Sequence, residues 1–174
     1  MKLSTLNLYF LICFFLIISC EKENISEFKE QKIFFEHYAI NYAWGLSYLQ
    51  WIIDYEGNVR KNKERDSIIW IDPENLNSYL EMFDTIIYNI DKTELDYYIQ
   101  LIPNASKGEI LEIEQNRADF GGTVYYSFKP KGHTYEIVIL SEMSDIMDKT
   151  NLDSSAMKID KWLKDIQKHI NSNN

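Results

Sequence analysis

Few side chains in this 174-residue chain have the type and spacing that catalysis or metal binding requires. The three histidines, His37, His133 and His169, are isolated, and no two lie a helical turn apart as a metal pair needs. Gly45-Leu46-Ser47-Tyr48-Leu49 lacks the second glycine of a nucleophile elbow. Ser26-Glu27-Phe28-Lys29 and Ser155-Ala156-Met157-Lys158 both fit Ser-x-x-Lys, but the Ser-Asp-Asn and Lys-Thr-Gly companions of a penicillin-recognising enzyme are missing. Gly121-Gly122 is an isolated pair, not a phosphate cradle. Glu142, Asp145, Asp148, Asn151 and Asp153 crowd one segment with the hard oxygen ligands a calcium ion takes, without the EF-hand order or its central glycine. Asn151 and Asp153 read instead as helix caps, and Asp54 and Asp119 as turn residues. No catalytic residue, metal ligand or cofactor is expected, so the chain reads as a non-enzyme; a small hydrolase using carboxylates is the catalytic alternative.

Aromatic residues are the unusual bulk feature, at 14% of the chain. Exposed Trp and Tyr anchor protein interfaces and stack on sugars. Trp44, Tyr48, Trp51 and Tyr125 are the binding candidates, set against the plain reading that strand aromatics fill a small core. Alternation puts Tyr125 opposite Tyr126 and Phe128. One face of that hairpin is therefore expected in the core, with Thr123, Tyr125 and Ser127 on show.

The most informative thiol is at position 20. Lys2 precedes an uncharged apolar run from Leu8 to Ile18, closed by Ser19-Cys20 and the charged Glu21-Lys22-Glu23. That is the layout of a secretory signal, and eleven apolar residues fall short of the roughly 20 that span a bilayer. Ile17-Ile18-Ser19-Cys20 resembles the bacterial lipobox. The resemblance covers residues 1–20 and implies cleavage before Cys20, diacylglyceration of its thiol and acylation of the new amino terminus. Two or more acyl chains anchor stably to a lipid bilayer where one binds reversibly. Glu21-Lys22-Glu23-Asn24 is similar to the surface-export signal of some Gram-negative lipoproteins, so the expected address is the outer membrane, periplasmic or surface-exposed.

Cleavage removes Cys13 and leaves Cys20, itself lipidated, as the one cysteine; no intramolecular disulfide or thiolate metal site follows. It also removes Lys2, leaving 17 Lys and Arg against 27 Asp and Glu. Such a chain repels nucleic acid and suits a basic protein partner.

Three segments are expected: a cleaved signal over 1–19, the lipidated cysteine and charged tether over 20–32, and one domain over 33–174. Strands are expected from His37 to Asp54, punctuated at Gly45, then at Val59 after the Gly57-Asn58 turn and at Ile68–Ile71. Asp72-Pro73 opens a helix carrying Leu76, Leu80, Phe83, Ile87 and Ile90 on one face. Asp91 with Glu94 caps a second helix that Pro103 ends, and residues 107–115 form a third. A hairpin over 122–140 turns at Pro130-Lys131-Gly132-His133, and a helix from about Ser154 to Ile170 buries Ala156, Ile159, Leu163, Ile166 and Ile170. The order gives an α+β domain, a largely antiparallel sheet with helices packed on one face.

Ala43-Trp44-Gly45, Ile53-Asp54, Gly57-Asn58-Val59, Asp119-x-Gly121, Ala156 and Trp162-Leu163 together resemble a group of small, functionally uncharacterised lipoproteins of Gram-negative bacteria. No mechanism comes with that group. The expected function is a membrane-anchored lipoprotein binding an envelope or extracellular protein, in one concrete form an immunity-type protein masking a basic toxin. A glycan-binding accessory is the alternative that the strand aromatics suggest.

Overall fold

Alternating side chains and tight turns build most of the molecule. The computed structural model describes residues 30–42, 45–62, 67–118 and 121–172. The description below concerns the compact unit Lys32–Asn174. In chain order its elements are β1 (Ile33–Asn41), β2 (Ser47–Asp54), β3 (Asn58–Lys61), a 3-10 segment (Pro73–Met82) and β4 (Thr85–Asn89). There follow α1 (Lys92–Ile99), α2 (Ile102–Ala105), β5 (Ile110–Glu114), β6 (Gly122–Lys131), β7 (Thr134–Ser144), β8 (Met147–Asn151) and α3 (Ser154–Ser172). The strands form one antiparallel sheet in the order β4-β3-β2-β1-β6-β7-β8-β5, with β1 and β6 at its centre. The fold class is α+β.

Turn chemistry fixes the register. Asp54 is fully buried, and its carboxylate accepts from the Glu56 and Asn58 amides, both at 2.9 Å, and from Arg60 Nε at 2.5 Å. It therefore clamps the β2–β3 turn as expected of a turn residue. Gly57 sits at φ +87°, where an added Cβ would lie 2.5 Å from the Ile90 carbonyl oxygen. That oxygen's residue donates its own amide back to Gly57 at 2.8 Å, closing β4 onto the turn. Gly132 takes the left-handed position between β6 and β7.

Both faces of the sheet are covered in part. On one, Ile33, Ile52 and Phe128 pack with Leu76 and Phe83 of the 3-10 segment and its flank, joined by Ile69, Ile71 and Tyr135. On the other lie the α-helices: Trp162 of α3 meets Phe35 edge-on at 5.3 Å and stacks on Tyr98 of α1 at 4.0 Å. Trp51 of β2 donates to Gln167 of α3 at 2.5 Å. Asp153 caps α3 by accepting from Ser155 and Ala156, and Ala156, Ile159, Leu163, Ile166 and Ile170 face inward at the expected spacing. A fully buried side chain of the size of Ile159 or Leu163 contributes roughly 1.5–3 kcal/mol.

Four expectations are corrected. Ile68–Ile71 is an irregular strap rather than a strand, because its polar anchors are side chains and not a neighbouring ladder. Asp72 does cap a helix, accepting from Glu74, but the helix is 3-10, distorts at Asn75 and stops at Met82. The β-branched run Thr85-Ile86-Ile87 then pairs with β3 instead of continuing it. Residues 110–114 form β5, not a helix, because they pair with β8. Of the carboxylate-rich segment from Glu142 to Asp153, strand β8 takes Asp148 and Asn151. Pro103 opens α2 rather than ending α1.

Candidate functional site

On the face that carries the 3-10 segment, side chains of β1, β2, β6, β7 and β8 converge with the strap 67–72. Glu36 and Tyr38 of β1 share this face, being two residues apart in a strand. Cross-strand partners place Gln50, Tyr38, Val124, Glu142, Lys149 and Glu112 in one row across six strands. Tyr126 sits directly across from Glu36 in the next row.

Gln50 positions the strap. Its amide donates to Glu36 Oε1 at 2.7 Å and to the Ile69 carbonyl at 2.8 Å, while its oxygen accepts from the Ile69 amide at 2.8 Å. This clamp sets Trp70 edge-on to Tyr38 at 5.4 Å, and Tyr38 meets Tyr126 edge-on at 6.2 Å. Trp70 is 66% exposed. Tyr126 donates to Glu142 Oε2 at 3.3 Å, and Lys149 reaches the same oxygen at 3.3 Å. Burial pushes the Glu36 carboxyl up to about 7, opposed by the Gln50 hydrogen bond. Burial also raises the Tyr38 and Tyr126 hydroxyls, with the neighbouring carboxylates adding to the shift. The arrangement is an aromatic platform edged by acid, the chemistry that holds a cation or the face of a sugar.

The opposite face holds a buried polar cluster. His37 lies between Trp51 and Tyr125, with ring centroids at 5.1 and 4.4 Å, and its Nδ1 donates to the Val124 carbonyl at 2.9 Å. Its Nε2 has no hydrogen-bond partner among the described residues, and burial lowers the ring to about 4. Tyr125 is pushed up to about 12 by burial and by Asp160.

Of the four aromatics singled out from the sequence, Trp44 lies outside the described residues. Trp51 is wholly buried and Tyr125 is 5% exposed beneath α3, so both serve the core. Tyr125 does lie on the face opposite Phe128, but α3 covers that face. Tyr48 is half-buried near the start of β2. The residues that do converge were legible only in part: the Glu36–Tyr38 spacing marks one strand face, whereas Trp70 sat in a stretch read as a strand.

His133 lies exposed in the β6–β7 turn, and His169 packs against Tyr88 at 4.8 Å. Among the described residues no group of three His, Cys, Asp or Glu could hold a metal ion. Asp148 instead takes a bidentate pair from Arg117 at 2.7 and 3.0 Å. A cleft of about 200 Å³, smaller than the roughly 300 Å³ of an ordinary ligand site, lies between α2, β7 and β8, lined by Ala105, Gly108, Ile110, Val138 and Asn151. Among the described residues no helix is long and apolar enough to cross a membrane. Compared with protein-family models, with curated proteins and with solved structures, the chain matches none.

Proposed function

We propose that the chain is a lipid-anchored bacterial envelope protein, held at the outer membrane by acylated Cys20, whose domain binds a basic protein without catalysing a reaction. The immunity-type form, in which it masks an incoming toxin, is the concrete version. The observation that carries the binding reading is the exposed Trp70, set edge-on to Tyr38, whose other ring neighbour Tyr126 donates to Glu142, on an acidic chain. A Lys or Arg of the partner over such a platform contributes about 0.5–2 kcal/mol.

Two experiments test the reading. Cys20→Ala moves the chain from the membrane to the soluble fraction, and labelled fatty acid enters only the unsubstituted protein; full membrane retention without Cys20 refutes the anchor. Deleting the gene lowers survival in a competition assay, and Trp70→Ala fails to restore it; an unchanged competitive outcome refutes the immunity form. The same exposed indole suits a sugar ring, which is the second reading. Glycan binding that is indifferent to salt favours it, because a charge-driven protein contact weakens as salt rises.

A further inference from the structure

The sheet ends at β5, and the backbone of that strand shows which atoms face outward. Leu152 donates to the Glu109 carbonyl and Gln115 donates to the Ile146 carbonyl, both at 2.9 Å. The register is continuous between them, with Leu111 opposite Thr150 and Ile113 opposite Asp148. In an antiparallel ladder, hydrogen-bonded and non-bonded pairs alternate. Glu109, Leu111, Ile113 and Gln115 therefore spend their backbone groups on β8. The N–H and C=O groups of Ile110, Glu112 and Glu114 point away from the sheet, and among the described residues no strand lies beyond them.

The side chains of this edge divide by face. Leu111 and Ile113 are 44% and 49% exposed on the helix side. Glu112 and Glu114 are exposed on the other, and Glu112 ends the cross-strand row that runs through Lys149, Glu142 and Val124 to Tyr38.

We propose that β5 is the strand on which a partner docks by β-addition, taking an extended segment of alternating basic and aliphatic residues. Open backbone groups supply the hydrogen bonds of a ninth strand. Alternation then dictates the occupant: Lys or Arg opposite Glu112 and Glu114, and aliphatic side chains beside Leu111 and Ile113. A second copy of this chain is a poor occupant, because pairing β5 with β5 brings like-charged glutamates together on one face. The docked strand would continue the Glu112–Tyr38 row, so the inference rests on the proposed binding of a basic protein and says how that partner is held.

The probe is a peptide of about seven residues alternating Lys and Val, blocked at both ends, added to the isotope-labelled full chain in detergent. The expected result is slowed hydrogen exchange at the amides of Ile110, Glu112 and Glu114. Methylating the peptide's backbone nitrogens on its pairing edge abolishes that protection, and Glu112→Gln with Glu114→Gln weakens binding about tenfold. Equal protection by the methylated peptide overturns β-addition. Perturbation confined to Tyr38, Trp70 and Tyr126 overturns the edge but leaves the basic-partner reading standing. No binding at either place overturns both. Protection of the three amides without peptide, accompanied by a dimer, overturns the heterologous partner in favour of a second copy.

Discussion

Replacing Glu36 by Gln is expected to stabilise the fold at neutral pH and to expose an acid sensitivity that the native protein conceals. Glu36 is 4% exposed and its carboxyl is pushed from 4.5 up to about 7, chiefly by burial. Between those values the folded chain holds a proton that the unfolded chain has released, so stability falls as pH rises from about 4.5 to about 7. The neighbouring His37 behaves oppositely. Its ring is lowered from 6.5 to about 4, so the unfolded chain takes up a proton the folded chain refuses, and stability falls as pH drops through that range. Each displacement corresponds to roughly 3 kcal/mol. Over the shared window, about pH 4.5 to 6.5, the two slopes cancel. A Gln at position 36 keeps an oxygen to accept from Gln50 while removing the buried ionisation. Urea unfolding of the full chain at several pH values is the assay. The variant's advantage is expected to be near zero at pH 4.5 and to grow to about 3 kcal/mol above pH 7. A difference that does not change with pH would refute the reasoning, whatever its size.

Tryptophan substitutions should separate core from surface. Trp51→Ala is expected to cost about 3–5 kcal/mol in urea unfolding, whereas Trp70→Ala changes stability by less than about 0.5 kcal/mol and acts on binding instead. Gly121 sits at φ +83°, with an added Cβ 1.9 Å from the Ile40 carbonyl oxygen; Gly121→Ala should cost at least about 2 kcal/mol or prevent folding. Gly132→Ala, at φ +63° with open space around it, should cost only about 1 kcal/mol by thermal melting. Asp153→Ala removes the α3 cap and should cost about 1 kcal/mol by the same measurement.

The parts of the fold legible in the sequence are those that local chemistry decides. The β6–β7 hairpin follows from period-2 alternation and a turn glycine; the caps at Asp91 and Asp153 follow from short side chains reaching amides two and three residues on. Where long-range pairing wins, periodicity misleads. Leu76, Leu80, Phe83, Ile87 and Ile90 keep helical spacing, yet β3 claims Thr85–Asn89 as a strand. The polar-rich run Met147-Asp148-Lys149-Thr150-Asn151 does not announce a strand, and without it β5 has no partner to reveal its own alternation. The candidate site suffers most. Trp70 reaches Tyr38 only because Gln50, 19 residues before Ile69, holds the strap at both backbone groups. Trp51 and Tyr125 are covered by a helix that begins 29 residues beyond Tyr125, and no local pattern conveys that.

The central position of β1 has a mechanical consequence. It is the first strand of the domain, yet it is flanked by β2 over Ile33–Asn41 and by β6 over Phe35–Ile40. Tension arriving through the chain ahead of Ile33 thus pulls lengthwise on a strand gripped from both sides. Both ladders must slide in shear together, where a strand at the rim would simply unzip.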